Sequence, residues 1–549
     1  MSRRRFLLSA SGLAAGLALG GGAFWQWREM PARVSAPGRS EGHVLRDMLR
    51  AMEKGQPAPQ PASRVLQTDV LILGSGVAAL SAAWALRKRG KRDVLMLDGP
   101  QKHGNAAGGA FGELAYPTGA HYLPLPSPES THVREMLHDL GIIQRDPYAE
   151  APLYDESCVL HAPEERLLHN GVWQEGFVPH AEVPEWELAE HKRFFAEVER
   201  LRALHGRDGR RIFVFPTILS STDAEWQALD KISLKTWLDQ QGYRSPTLHW
   251  YLDYCCRDDY GRQHDQISAW AGLHYYCSRW GKAANAGNGA WLTWPGGLSV
   301  LAQGLDRLGG ATHVPGTAWR LNLREGGGLE AHCLHLQNGK PEWFTIRANK
   351  AICAMPVYVA ARIIPHIRTL GFVPERDTPA YAPWMVANFL LKRFPQERAG
   401  QPLSWDNVLY PQDGHSGGPG LGYVVATHQQ IRVTPPPKTV FTSYVALSHL
   451  PLKEARRWLD QASAEELLEL AARDLQTAYG WRFATCVEQV ELTLRGHAMA
   501  APLPGFRSNP GMQALREVDG PILFAHADLS GFSVFEEAAW WGVRAAQKI

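Results

Sequence analysis

The stretch Ile72-Leu73-Gly74-Ser75-Gly76-Val77-Ala78-Ala79 sets two glycines ahead of an alanine-rich run that ends in Gly90. An ordered glycine costs backbone entropy, so a pair at this spacing implies that something approaches the main chain closely. A pyrophosphate is such a group. It needs free N–H donors and the positive dipole end at a helix N-terminus, with no side chain in the way. The backbone of Gly74, Ser75, Gly76 and Ala78 is expected to line it, and the small Ala79 lets helix and strand pack. Asp98 lies 24 residues beyond Gly74. That is where an acid would take the hydroxyls of an adenosine ribose.

The elements that must position these residues read as strand, helix, strand. Residues 68–74, TDVLILG, form a short apolar run of the kind buried in parallel sheets. Residues 77–89 carry apolar positions at helical spacing, and Gly90 is the C-terminal cap. Residues 92–99, RDVLMLDG, form the second buried strand. With 549 residues and 45% hydrophobic content, the chain has core enough for two domains. The net charge of +2, from 57 basic against 55 acidic residues, gives no reason to expect nucleic acid as a partner. Seven cysteines without a CxxC pair indicate neither a metal site nor a disulfide framework.

The N-terminus carries a separate message. Ser2-Arg3-Arg4-Arg5-Phe6-Leu7 resembles the twin-arginine export motif, and an uncharged Gly/Ala-rich run continues to Trp27. The resemblance implies a partner, the twin-arginine translocation machinery. It also implies a periplasmic destination and export in the folded state with a cofactor loaded. Left uncleaved, residues 1–27 would be long enough to associate with a membrane. Residues 28–64, polar and proline-rich, read as a linker.

Four distant stretches resemble motifs of the flavin-containing amine oxidase superfamily, which includes monoamine and polyamine oxidases and phytoene desaturases. They are AAGGAFGELAYPTGAHYLPL (106–125), WPGGLSVLAQGLDRL (294–308), NKAICAMPVYVAARIIP (349–365) and GPILFAHADLSGFSVFEEAAWWGVRAAQ (520–547). The resemblance implies an α/β fold: a Rossmann-like FAD-binding domain with an inserted α+β substrate domain. Residues 66–125, 285–370 and 490–549 would build the first; residues 126–284 and 371–489 would build the second. FAD is the implied cofactor. By the same resemblance Gly108 and Gly109 match the glycine pair near the phosphates, and Ala318 borders the adenine. Asp528 would hold ribityl or pyrophosphate oxygens. Phe535 would open a terminal helix whose N–H groups face the flavin pyrimidine edge, where reduced flavin carries negative charge.

The sequence departs from the family pattern in three places. Ala110 stands where the family has a phosphate-neutralising arginine. Ala525-His526-Ala527-Asp528 replaces A-G-E/D. No lysine occurs in YAPWMVANFLL (381–391), where many amine oxidases carry one beside the flavin; Asn388 is near that place. His121 and His497 are the candidate catalytic residues, since both neighbour flavin-bearing motifs. Three activities fit: oxidation of a small amine or polyamine, desaturation or oxidation of an apolar membrane-borne substrate, or a non-catalytic flavoprotein role. Carboxylates in the substrate channel would separate the first two, because a polyamine needs them and an isoprenoid does not.

Overall fold

The computed structural model describes residues 30–59, 64–411, 418–431, 434 and 436–549. The export motif and the apolar run behind it, through residue 29, lie outside these residues. Two sheets organise the rest. A seven-stranded sheet has the order Thr312–Val314, Val94–Leu97, Val65–Leu73, Lys340–Cys353, Leu329–Gln337, Thr317–Leu323, with Ile522–Phe524 paired to the end of Lys340–Cys353. The strands around Val65–Leu73 run parallel, as their continuous apolar runs require.

The helix Val77–Lys88 links the first two strands of this βαβ unit and is buried along most of its length. Its alanines make that possible. Gly542 of the terminal helix Phe535–Gln547 leaves so little room that a Cβ there would stand 2.2 Å from the Ala78 carbonyl oxygen. The helix Ser299–Gly309 presses from the other side at Ala83. Helices thus cover the parallel sheet, which makes this half a Rossmann-like layer.

The second sheet has eight strands, in the order Ala32–Ser35, Val487–Ala500, Tyr381–Leu391, Thr439–Ala446, Gly420–Val425, Asp406–Leu409, Glu165–His169, Val172–Glu175. Along Tyr381–Leu391, Met385, Ala387, Phe389 and Leu391 pack into one cluster, under the helix Ala464–Tyr479. Ala382, Trp384 and Val386 pack into the opposite one, with the helices Pro246–Tyr260 and Ala269–Ser278.

Sheet membership departs from the expected division in three places. Residues 490–500 belong to the substrate sheet, because Val487–Ala500 pairs with Tyr381–Leu391. The helix Thr131–Asp139 packs on the nucleotide side instead, and Trp84 Nε1 donates to Asp139 there at 2.9 Å. The stretch read as a linker holds the strand Ala32–Ser35 and the helix Arg39–Glu53. That helix has no fully buried residue, so its polar composition hid it. Among the described residues no helix is long and apolar enough to cross a membrane, and all seven cysteines are free thiols.

Candidate active site

Gly74 has φ +105°, and a Cβ would meet the Ala354 carbonyl oxygen at 3.0 Å. Gly76 differs: its φ is −75°, it caps the helix Val77–Lys88, and nothing lies within 4 Å of where a Cβ would stand. The turn needs the first glycine; open space for a ligand explains the second. Ser75 is buried and donates its hydroxyl to the Asp98 carbonyl at 2.6 Å. Ala78 and Ala79 lie in the helix core.

Asp98 ends its strand as expected, and one carboxylate oxygen pairs with His313 Nδ1. The other ring nitrogen of His313 reaches Asp306 at 2.6 Å, and Asp306 also receives Lys102 at 2.9 Å and His103 at 3.2 Å. The hydrogen bond to Asp98, opposed by burial and reinforced by Asp306, raises His313 above its ordinary value. Burial pushes Asp306 up, but its three partners bring it down to about 2. Asp98 is therefore held in place by a closed charge network.

Gly108 and Gly109 are part of a small hairpin. They lie on Gly108–Phe111, which pairs with Leu114–Pro117, and a Cβ on either would clash with Ser299 or Tyr116. The glycine beside the nucleotide loop is Gly104, where a Cβ would sit 3.4 Å from Gly76 Cα. Ala318 is sealed in the core of the seven-stranded sheet, so its side chain has no open face for an adenine.

Asp528 is buried. Its Oδ2 accepts from the Val357 N–H at 2.9 Å and from the Tyr381 hydroxyl. Burial opposes its ionisation, but His526, Tyr381 and Val357 hold the carboxyl below the usual range. Its enclosed Oδ1 lies 3.1 Å from His526 Nδ1, but that nitrogen accepts from the Asp528 N–H, so Oδ1 receives no hydrogen bond. A buried carboxylate oxygen without a donor fits a ligand hydroxyl, such as those of a ribityl chain. Phe535 is the first residue of the terminal helix, so the four free N–H groups of that end start there. The open space at Gly76, the orphan oxygen of Asp528 and this helix end together fit FAD.

Beyond Gly119 and Ala120 lies an aromatic recess. His121 stacks on Tyr444 with ring centroids 4.7 Å apart, and stands 4.9 Å from Tyr122 and 5.4 Å from Trp405. The Tyr444 hydroxyl donates to the Gly119 carbonyl at 3.1 Å, tying the recess to the nucleotide side. Burial lowers His121 to about 3, so its imidazole is neutral, and its Nε2 has no partner. His497 does not join it. That ring is exposed and stacks on Tyr358 at 4.7 Å, beside Tyr381.

Three carboxylates flank the recess. Glu165 and Asp406 are register partners on adjacent parallel strands, and Asp258 stands on the helix Pro246–Tyr260. All three keep some solvent access. Among the described residues none has an ion-pair partner, since Arg257 is bound to Asp253 and Arg279 to Asp259. Burial and then Glu164 and Asp258 push Glu165 up to about 7. Burial and then Asp259 push Asp258 up to about 7, against Arg279 and Arg257. Burial, Asp258 and Glu165 raise Asp406 well above the carboxylate range. Glu536, in the first turn of the terminal helix, is raised to about 7 by burial and also feels Arg279 and Asp259. Glu536 and Asp258 thus both lie within reach of the Arg279–Asp259 pair. Asp258 belongs to the acid-rich stretch RDDYGRQHD (257–265), which is apparent in the sequence by itself. Glu165, Asp406, Trp405, Tyr444 and Gly104 are not, because only strand register and loop closure bring them here.

Among the described residues no group of histidines, cysteines and acids is arranged to hold a metal ion. Asn388 is committed, donating to the Pro117 carbonyl at 3.0 Å and accepting from Thr442 at 2.7 Å.

Comparison with known proteins agrees with this architecture. A family model described as an NAD(P)-binding Rossmann-like domain matches residues 72–140. No curated protein matches the chain by sequence. A solved structure of putrescine oxidase bound to putrescine is 16% identical, with a TM-score of 0.60 over 88% of this chain and 99% of that one. Cyclohexylamine oxidase from Brevibacterium oxydans IH-35A is 16% identical, with a TM-score of 0.57 over 88% and 97%. A CLA-producing fatty acid isomerase from P. acnes is 15% identical, with a TM-score of 0.55 over 87% and 97%. The chain therefore has the mixed α/β fold of these proteins, a Rossmann-like nucleotide-binding layer joined to a substrate sheet.

Proposed function

We propose that this protein is an FAD-dependent oxidoreductase that oxidises amines, and that it favours an amine carrying a second positive charge, such as a diamine or polyamine. The observation that carries this reading is the set of Glu165, Asp258 and Asp406, three carboxylates without ion pairs around an aromatic recess. Uncompensated interior acids are costly, and a cationic ligand relieves that cost. Tyr122, Trp405 and Tyr444 add π faces suited to an ammonium. The relatives of this fold that act on amines support the same direction.

The bound flavin would accept a hydride from the carbon next to the reacting nitrogen. This chain's residues would do the rest. The aromatic recess excludes water and leaves the reacting amine neutral, and the acids hold the distal ammonium. Neutral His121 packs the wall without adding charge.

An anaerobic screen tests the proposal. The flavin absorbance should bleach with diamines and polyamines, and more slowly with monoamines of equal length. Bleaching only by fatty acids or isoprenoid donors would point to the apolar-substrate reading instead. Export belongs to the same proposal. The Ser2–Leu7 motif supports a periplasmic enzyme, and replacing Arg3, Arg4 and Arg5 by lysine should hold the protein in the cytoplasm with its FAD.

A further inference from the structure

We infer that Arg495 supplies the positive charge for the FAD diphosphate, from the substrate sheet rather than from the nucleotide loop. The inference rests on the FAD reading above and not on the amine reading. In place of the arginine expected after the glycine pair stands Ala110, which is exposed on the small hairpin. Some other cation must face the phosphates or none does.

Arg495 lies on Val487–Ala500, opposite Trp384 in register. Its Nε and Nη2 donate to the Thr118 carbonyl at 3.3 and 3.1 Å, and Nη2 to the Gly104 carbonyl at 3.3 Å. A Cβ on Gly104 would stand 3.4 Å from the Cα of Gly76, the cap of the pyrophosphate-facing helix. One residue therefore stands between the guanidinium and the phosphate turn. Among the described residues no carboxylate pairs with Arg495, and its Nη1 makes no hydrogen bond yet is not sealed away. Burial without a counter-charge lowers the group to about 10. Arg166, Arg257 and Arg279 each have a carboxylate partner, whereas buried Arg134 and Arg262 donate to carbonyls instead, so what sets Arg495 apart is its place beside Gly104. A buried cation lacking one is costly until an anion binds. The carbonyls of Thr118 and Gly104 hold Nε and Nη2 in place, which leaves the N–H groups of Nη1 to meet an anion.

The test compares Arg495→Gln and Arg495→Lys with wild type as holoproteins, following release of fluorescent FAD on dilution. Losing one charge-assisted contact should weaken FAD by about 10- to 100-fold in Arg495→Gln. Arg495→Lys should retain most of the affinity, and the gap between the variants should narrow as ionic strength rises. The flavin midpoint potential should not move in either variant, because the charge serves the diphosphate and not the ring. Equal FAD affinity in wild type and Arg495→Gln would overturn the inference. So would a displaced potential, or equal loss in both variants. If Arg495→Gln does not fold, Arg495→Lys decides alone: retained FAD with a lower melting temperature supports the inference, and lost FAD overturns it. Wild-type protein that holds no FAD would instead defeat the cofactor reading itself.

Discussion

The nucleotide side and the substrate side handle charge in opposite ways. Around the ribose end, Asp98, His313, Asp306, His103 and Lys102 satisfy one another in a closed chain. Around the recess, Glu165, Asp258 and Asp406 satisfy nothing. The first arrangement is complete before a ligand arrives, and it holds a cofactor through backbone groups and geometry. The second waits for a ligand to complete it. The network at Asp98 and the acids of the recess thus carry different electrostatic marks on the same chain.

The largest effect should come from the nucleotide turn. A Cβ at Gly76 meets no protein atom and the φ is ordinary, so Gly76→Val should fold and contain no FAD, seen as a colourless protein with an intact far-UV spectrum. Gly74→Val has a different fate. Its positive φ and the Ala354 carbonyl should cost about 1–3 kcal/mol or more of stability whether or not FAD is present. A yellow Gly76→Val protein would remove the basis for placing the pyrophosphate there.

Next in size is the acid pair. Glu165→Gln with Asp406→Asn should raise the KM for a diamine by about 10- to 100-fold, the worth of charged hydrogen bonds, while a monoamine of similar size keeps its KM. Equal losses for both substrates would mean that the acids serve packing rather than recognition.

The pH dependence is smaller and has a definite sign. Glu165 and Asp258 titrate near 7 in the folded protein and near ordinary carboxylate values when unfolded. The folded state thus binds more protons between those limits, and its stability should fall as pH rises from about 4.5 to 7. A diamine should offset that loss, so its shift of the melting temperature should be greater at pH 8 than at pH 6. A shift independent of pH would detach the acids from the ligand.

The smallest effect is expected at His121. A true general base contributes about 10²–10⁴ in rate. The imidazole is neutral and stacked, so His121→Phe should change kcat by less than about tenfold. A larger loss would show that the unpartnered Nε2 binds the substrate.

The βαβ unit was legible because its signals are local. Two apolar runs, a glycine turn and an alanine helix lie within residues 68–98, and the structure places them as read. The glycine pair has a packing reason that the sequence does not display. Gly108 and Gly109 are glycines because Ser299 and Tyr116 crowd them, whereas the single Gly104 meets the turn. Asp258 could be suspected but not placed. Glu165 and Asp406 become neighbours only through pairing of strands far apart in the chain, which no local pattern encodes. Arg495 was silent because a lone arginine in a strand has no meaning until its lack of a partner is seen. The helix Arg39–Glu53 was missed because the polar, proline-rich composition of residues 28–64 reads as a linker.

The strand Ala32–Ser35 pairs in register with Val490–Thr493. The eight-stranded sheet therefore joins the beginning of the described chain to nearly its end, and it cannot close until synthesis is almost complete. Contacts of such long sequence separation make folding slow. Until they form, Val487–Ala500 offers an unpaired edge to any other extended chain. A protein shortened to begin at Val65 would keep its whole nucleotide layer and leave that edge bare. Such a truncation should bind FAD and yet self-associate, and light scattering against the full chain would reveal it.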